Sequence, residues 1–152
     1  MWYNFIKIMG VQGRSFEYKE LRDKDLMRAY REQIASQRNI HLPDVLRQTV
    51  NSPSLRFWVS DTRANIIMSR LRKGDTLPEM NGNKKRMFLE IYRRVCILSE
   101  EHPDMPLGEL TAIVVEQPAP CFYITPQSAK VIIHKIKKKW LEERKNKLRF
   151  MF

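Results

Sequence analysis

The chain contains an internal repeat with a period of 65 residues. Residues 57–74, FWVSDTRANIIMSRLRKG, align without a gap with residues 122–139, FYITPQSAKVIIHKIKKK. Over the 33 aligned pairs from 42/107 to 74/139, seven pairs are identical: Leu42/Leu107, Val50/Val115, Pro53/Pro118, Phe57/Phe122, Ala64/Ala129, Ile67/Ile132 and Lys73/Lys138. Unrelated stretches of this length would share roughly two identities. The repeat predicts one structural unit used twice, which constrains the architecture of the whole chain.

The first copy reads as three helices. Apolar residues at helical spacing predict helices over residues 23–37, 41–50 and 61–73. Ser60 is the expected N-cap of the third helix, and Gly74 is expected to end it. Residues 75–83, DTLPEMNGN, have the composition of a loop, so they are predicted to link the two units.

The second copy repeats this plan. Helices are predicted over residues 84–101, with Asn83 as the N-cap, over residues 107–116, and from Thr125 and Pro126 to about Arg149. The opening helices align at an offset of 62, which matches Tyr30-Arg31 to Tyr92-Arg93. Three extra residues in the loop around 102–106 would then restore the offset of 65.

The expected fold class is therefore all-α, with two tandem three-helix units related by internal duplication. The predicted boundaries are an N-terminal arm at 1–20, a first unit at 21–74, a linker at 75–83 and a second unit at 84–140. Residues 141–152 are predicted to be the basic end of the last helix and an apolar tail.

Three helices with a basic third helix resemble the trihelical helix-turn-helix domains that bind DNA. The break between the second and third helices, residues 51–59 and 116–124, has about nine residues, where the strict motif has three or four. The resemblance thus implies a looser variant, with Phe57 and Phe122 packed between the helices. The chain also resembles small uncharacterised basic proteins of Bacteroidota phages and mobile elements, which gives context but no residue roles.

The charge favours a polyanionic partner. The formal net charge is +11 and the isoelectric point about 9.9, well beyond what solubility requires. Double-stranded DNA is favoured over RNA because of the helix-turn-helix resemblance. The last helix is also amphipathic at its start, which is typical of membrane-surface helices, but Ile136 and Trp140 are expected in the core. No membrane partner is therefore expected, and the short apolar N-terminus MWYNFIKIMG does not read as a signal peptide or a membrane span.

The third helix of each copy supplies the candidate contacts with nucleic acid. Ala64, Ile67 and Leu71, with their counterparts in the second copy, are expected to face the core. Polar side chains on the opposite face suit the edges of bases: Thr62, Asn65, Ser69, Arg70, Gln127, Lys130 and His134. Cations on the third helices, together with those at the start of the helix predicted over residues 84–101, suit phosphates: Lys73, Lys84, Lys85, Arg86, Lys135, Lys137, Lys138 and Lys139. The bland interpretation of both sets is that they are ordinary solvated residues on surface helices.

No pattern in the sequence indicates catalysis. The chain has no glycine-rich phosphate loop, no pair of a nucleophile and a base, and no set of carboxylates suited to two metal ions. Cys96 and Cys121 lack the CxxC spacing, and the three histidines are scattered, so neither a metal nor a cofactor is expected. Two isolated cysteines indicate a reduced, intracellular protein, so a cytoplasmic location is expected. A nucleic-acid partner would make the protein nucleoid-associated, or virion-associated if it derives from a phage.

The sequence thus predicts a non-catalytic protein that binds double-stranded DNA through two basic helices, as a regulator or as a packaging or recombination accessory. One alternative is a structural or assembly protein of a phage or complex, which Ile66, Val131 and the tail 150–152 would support as exposed apolar contacts. RNA binding is a further alternative.

Overall fold

The computed structural model describes the backbone of residues 11–151 and the side chains of residues 18–151. Over these residues the chain forms six α-helices: α1 (Val11–Ser36), α2 (Leu42–Val50), α3 (Asp61–Arg72), α4 (Gly82–Glu101), α5 (Leu107–Val115) and α6 (Pro126–Met151). The only extended pairing within the described part of the chain is one isolated antiparallel bridge between Ser54 and Ala119. The predicted all-α class is confirmed.

The six helices form two compact three-helix units. The central unit is residues 51–123 and contains α3, α4 and α5. The terminal unit contains the described residues 11–50 and 124–151, that is, α1, α2 and α6. These boundaries differ from the predicted tandem units. The predicted unit 21–74 combines α1 and α2 with α3, whereas in the structure α6 packs with α1 and α2. The predicted unit 84–140 combines α4 and α5 with α6, whereas in the structure α3 packs with α4 and α5.

The buried faces of the helices explain why this exchange is possible. In the central unit, α3 buries Ala64, Ile67 and Met68 and packs on α4 and α5. In the terminal unit, α6 buries Ala129 and Ile133 and packs on α1 and α2. The two third helices bury similar types of residue, so their apolar pattern alone does not specify which pair of opening helices each one completes. The preference for the exchanged arrangement is therefore a tertiary effect that no local pattern specifies.

The predicted offset of 62 for the opening helices is wrong. Helices α1 and α4 end at Ser36 and Glu101, which are 65 residues apart. The loops that follow, residues 37–41 and 102–106, are equally long, and α2 and α5 both have nine residues. No insertion is present in the second loop.

The buried positions show the same spacing of 65. Leu26 and Ile91 are both fully buried, and Tyr30 and Val95, which are 7% and 2% exposed, occupy equivalent places on α1 and α4. In α2 and α5 the four buried positions coincide at this spacing: Val45, Leu46, Thr49 and Val50 against Leu110, Thr111, Val114 and Val115. The offset of 62 came from matching Tyr30 to Tyr92 by their identical side chains. Tyr30 is buried and Tyr92 is partly exposed, so the two do not occupy equivalent positions. Descent of the two copies from a duplication stays a prediction.

The predicted linker 75–83 is part of a folded core. Leu77 is fully buried in the central unit although its φ is +53°, and its backbone N–H donates to the Asp75 carboxylate at 2.9 Å. The following helix begins at Gly82 rather than at residue 84, because Asn81, not Asn83, caps it by accepting a hydrogen bond from the Lys84 amide. The segment therefore belongs to the core of the central unit through Leu77, although its composition is typical of a loop.

Several local predictions are confirmed. Ser60 caps α3 by accepting a hydrogen bond from the Arg63 amide at 3.1 Å, and Thr125 accepts one from the Ser128 amide at 3.1 Å before α6. Gly74 follows α3 with a φ of +92°, a left-handed conformation that suits glycine. Phe57 and Phe122 are buried as expected.

The two ends of the chain differ from expectation. Helix α1 already begins at Val11, so the second half of the predicted arm 1–20 is helical, and residues 1–10 lie outside the described residues. Trp140 was expected in the core but is 42% exposed, because α6 continues past the last core residues of the terminal unit. Every residue from Lys137 to Met151 is exposed.

Candidate nucleic-acid interface

Helix α6 concentrates the cationic residues of the terminal unit. It carries nine lysines and arginines against two glutamates, Glu142 and Glu143, which gives a net charge of +7 over its 26 residues. All nine cations are exposed: Lys130, Lys135, Lys137, Lys138, Lys139, Arg144, Lys145, Lys147 and Arg149. None forms an ion pair with a carboxylate of residues 18–151.

Three arginines of other helices are neutralised by neighbouring carboxylates. On α1, Arg28 binds Asp25 and Glu32, with a shortest separation of 2.7 Å between Arg28 Nη2 and Asp25 Oδ1. On α4, Arg93 and Arg94 both bind Glu90, at 2.7 and 2.9 Å. Helix α6 differs from α1 and α4 in that none of its cations takes part in such an ion pair within residues 18–151, so it keeps its full excess of positive charge.

The Glu90 cluster is structural. Hydrogen bonds from Arg93, and secondarily from Arg94, lower the pKa of Glu90 from 4.5 to about 2, while its desolvation opposes this. Arg94 also donates to the carbonyl oxygen of Pro118 at 2.9 Å and lies 4.9 Å from the centre of the Phe57 ring. The guanidinium group thus fastens the segment after α5 to α4, and it is not available to a ligand without loss of these contacts.

The predicted base-facing residues of α3 are less accessible than those of α6. Thr62 is exposed, whereas Asn65 and Ser69 are half-buried. A β-carbon at Gly108 would lie 3.8 Å from Nδ2 of Asn65, so the Asn65 amide is close to the start of α5.

Arg70 is bound to two carboxylates. It pairs with Asp75 at 2.8 Å and with Glu79 in the segment that follows α3. These two hydrogen bonds, Glu79 first, raise the pKa of Arg70 above its usual range. A bidentate contact with guanine would require both ion pairs to break, so the structure gives Arg70 a role in holding the Leu77 segment.

The predicted base-facing residues of α6 remain accessible. Gln127, Lys130 and His134 are exposed on the first three turns of the helix, and all three line a surface groove of the terminal unit with a volume of about 370 Å³. Tyr30, Leu42 and Leu46, which the sequence did not predict as site residues, line the same groove. The position of these three side chains beside α6 depends on the packing of α1 and α2 against that helix, which no local pattern specifies.

The predicted phosphate contacts divide between the two units. Lys135, Lys137, Lys138 and Lys139 belong to α6, and Lys137 donates to the Tyr30 hydroxyl at 3.2 Å. In the central unit, Lys73 and Lys84 are exposed. The remaining two are Lys85, which is half-buried, and Arg86, which is exposed and stacks on the Tyr123 ring at 5.9 Å.

Four cations at the end of α6 extend the candidate surface beyond the predicted residues. Arg144, Lys145, Lys147 and Arg149 continue the same exposed helix. The sequence contains no helix-breaking residue after Pro126, which predicts a helix long enough to include these four cations.

No protein-family model, curated protein or solved structure matches this chain. Among the described residues, no three histidines, cysteines or carboxylates gather in a metal-binding arrangement. None of the described helices combines the length and the apolar character needed to cross a bilayer.

Proposed function

We propose that the protein is a non-catalytic nucleic-acid-binding protein and that α6 is its principal contact with double-stranded DNA. The observation that carries this proposal is the set of nine exposed cations on one helix, none of them paired with a carboxylate of residues 18–151. Cations without carboxylate partners bind phosphates at little electrostatic cost, since no ion pair must be broken first. Release of counterions from the DNA then supplies affinity that is independent of base sequence.

The dimensions of α6 suit the major groove of B-DNA. Beyond the part that packs on α1 and α2, residues 137–151 are all exposed and span about 22 Å at 1.5 Å per residue, roughly two-thirds of one turn of the duplex. At 100° per residue, the cations from Lys137 onward point in most directions around the helix axis. A helix lying in the groove has phosphates on both sides, so this distribution fits a groove better than a flat surface. Duplex RNA is the weaker candidate because its major groove is too narrow for side chains to read.

The salt dependence of binding tests this proposal. Replacing Lys138, Lys139 and Lys145 with alanine should weaken binding to every duplex and reduce the slope of log K against log salt by about 3. The matched control replaces Lys19, Lys24 and Arg38, three exposed cations outside α6, and so removes the same charge. Anisotropy titrations over a range of salt concentrations provide both quantities.

Equal effects of the two triple variants would contradict a specific role for α6 and indicate attraction by net charge alone. Competition between a DNA duplex and an RNA hairpin of equal length separates the DNA and RNA proposals. Selection from a random pool of duplexes shows whether the protein prefers a base sequence. That result bears on whether its role is that of a regulator or of a packaging or recombination accessory.

Assembly is a second candidate function, favoured by exposed apolar residues on the same helix. Trp140, Leu141, Leu148 and Met151 project toward one side of α6 and are 42%, 57%, 50% and 77% exposed. Ile66 and Val131 are 51% and 44% exposed. A row of exposed apolar residues along one side of a helix, such as the four on α6, is typical of a helix that packs on a partner. Light scattering with size-exclusion chromatography, with and without duplex, distinguishes the two: a stable oligomer indifferent to DNA favours assembly.

A further inference from the structure

The groove of the terminal unit combines an apolar floor with a cationic rim. Leu42 and Val131 are 41% and 44% exposed, and Leu46, Ile133 and Tyr30 form the deeper part. These residues come from α1, α2 and α6. The floor is therefore a continuous apolar surface on three helices, partly open to water.

The rim is basic. Lys130, Lys135 and Lys137 line the groove together with His134 and Gln127, all on α6. Among the described residues that line it, none carries a carboxylate. Lys137 is held in place by its hydrogen bond to the Tyr30 hydroxyl, and its ammonium group lies 4.7 Å from the centre of the Tyr30 ring.

We propose that this groove binds an acidic amphipathic helix of a partner protein. The partner's apolar side chains would cover Leu42, Val131 and the deeper floor, and its carboxylates would pair with the lysines of the rim. From Gln127 to Lys137 the groove follows α6 for about 15 Å, which is close to three helical turns. A segment of roughly ten residues with apolar anchors at i, i+4 and i+7 matches this length.

Two observations favour a peptide over other occupants. The groove is open, with two of its apolar floor residues more than two-fifths exposed, whereas a small-molecule site buries most of its ligand. The cationic rim opposes a second copy of the basic helix α6, because like charges would face one another across the contact. A partner segment that is helical, with apolar residues on one face and acidic residues beside them, would complement this surface.

The inference does not depend on the proposed DNA binding, and its test keeps the two apart. The probe is a fluorescent peptide of roughly 14 residues with leucines at i, i+4 and i+7 and glutamates on the other face, titrated with the full-length protein without DNA. A peptide of the same composition with its leucines scrambled is the control for nonspecific attraction. The K138A/K139A/K145A variant, which reports on the DNA proposal, should bind the peptide nearly as well as the wild type does.

Variants at equivalent positions of the two units locate the site. Val131→Glu places a carboxylate on the floor of the groove, and Ile66→Glu makes the same change 65 residues earlier, in the central unit; both side chains are exposed, so both variants should fold. We expect Val131→Glu to weaken peptide binding by at least about tenfold, or 1.4 kcal/mol, and Ile66→Glu to leave it nearly unchanged. Lys130→Glu should weaken binding as well and reduce its dependence on salt.

Three outcomes would overturn the proposal. Equal binding of the scrambled peptide would reduce the interaction to charge attraction. Equal affinities of Val131→Glu and the wild type would move the contact elsewhere. Light scattering that shows a wild-type dimer, lost in Val131→Glu, would assign the groove to a second copy of the chain.

Discussion

The backbone amide of Ser54 donates to the carbonyl oxygen of Ala119 at 3.0 Å, and the Ala119 amide donates to the Ser54 carbonyl at 3.1 Å. These residues are equivalent positions of the 65-residue repeat, and both lie in the central unit, so each donates its amide to the carbonyl oxygen of the other. Each lies in the segment that leads from the second to the third helix of its copy. The pairing therefore occurs where the chain passes from one compact unit to the other.

Ala119→Pro removes one of these two hydrogen bonds, because proline has no amide hydrogen. Two prolines already flank this position, so the extended backbone should tolerate a third. The free energy of unfolding should fall by roughly 1–3 kcal/mol, the cost of leaving a buried carbonyl unpaired. Urea denaturation measures this loss, and Ala119→Gly, which keeps the amide hydrogen, is the control. A proline variant no less stable than the glycine variant would show that the pairing contributes nothing.

Leu77→Ala tests whether the segment after α3 belongs to the folded core. Leu77 is completely buried, so its truncation should lower the free energy of unfolding by roughly 2–5 kcal/mol. Thr76→Ala, at the exposed neighbouring position, should change it by less than about 0.5 kcal/mol. Equal, small effects of the two substitutions would support the prediction that residues 75–83 are a linker outside the core.

Glu90 should make stability depend on pH in the acid range. Its pKa is about 2 in the folded protein against 4.5 for the ordinary group, so the charged carboxylate stabilises the fold above about pH 4.5. That contribution is lost as the pH falls toward 2. Glu90→Gln should therefore be less stable than the wild type by about 1 kcal/mol at pH 6, with the difference disappearing near pH 2. Denaturation midpoints at several pH values test this, and a difference that is constant with pH would contradict it.

Arg70 and Lys139 should behave differently in DNA binding, although both were predicted contacts. Arg70→Ala should lower the denaturation midpoint, since Asp75 and Glu79 lose their partner, and leave duplex affinity unchanged. Lys139→Ala should reduce affinity and shift the salt slope by about 1 without changing stability. A loss of affinity in Arg70→Ala, at unchanged stability, would return this residue to the binding surface.

The N-cap residues of α3 and α6 should each be replaceable by another residue whose side-chain oxygen accepts a hydrogen bond. Ser60→Ala and Thr125→Ala each remove an oxygen that accepts a hydrogen bond from a backbone amide of the first turn. Each substitution should cost about 1 kcal/mol of stability, while Ser60→Asp and Thr125→Asp should retain most of it. Unfolding measurements on the four variants check this, and a stable Thr125→Ala variant would mean that α6 does not depend on its cap.

Much of the local structure could be predicted from the sequence because its causes are local. Ser60 and Thr125 precede apolar runs at helical spacing, and a side-chain oxygen at that position caps the helix whatever its tertiary partners are. The equal spacing of Phe57 and Phe122 likewise indicated buried positions. Leu77 was missed because composition describes what is common in loops, not which single side chain fills a core.

The candidate site was only partly predictable for a related reason. The sequence showed that α6 is basic, yet it also proposed Arg70, whose charge is neutralised by Asp75 and Glu79. Pairing between side chains depends on loop geometry, which a helical pattern does not contain. The groove beside Lys130 and Val131 requires α1 and α2 next to α6, an association between distant parts of the chain.

By itself the sequence determined the helices, most of their caps, the repeat at 65 residues and the excess of positive charge, since each follows from residues close together in the chain. Only the tertiary structure decided which third helix completes which unit and which cations remain unpaired. The physical reason is that both copies bury similar apolar residues, so the exchanged and unexchanged pairings satisfy the same local pattern. Packing over the whole chain, through contacts between residues far apart in sequence, selects between them.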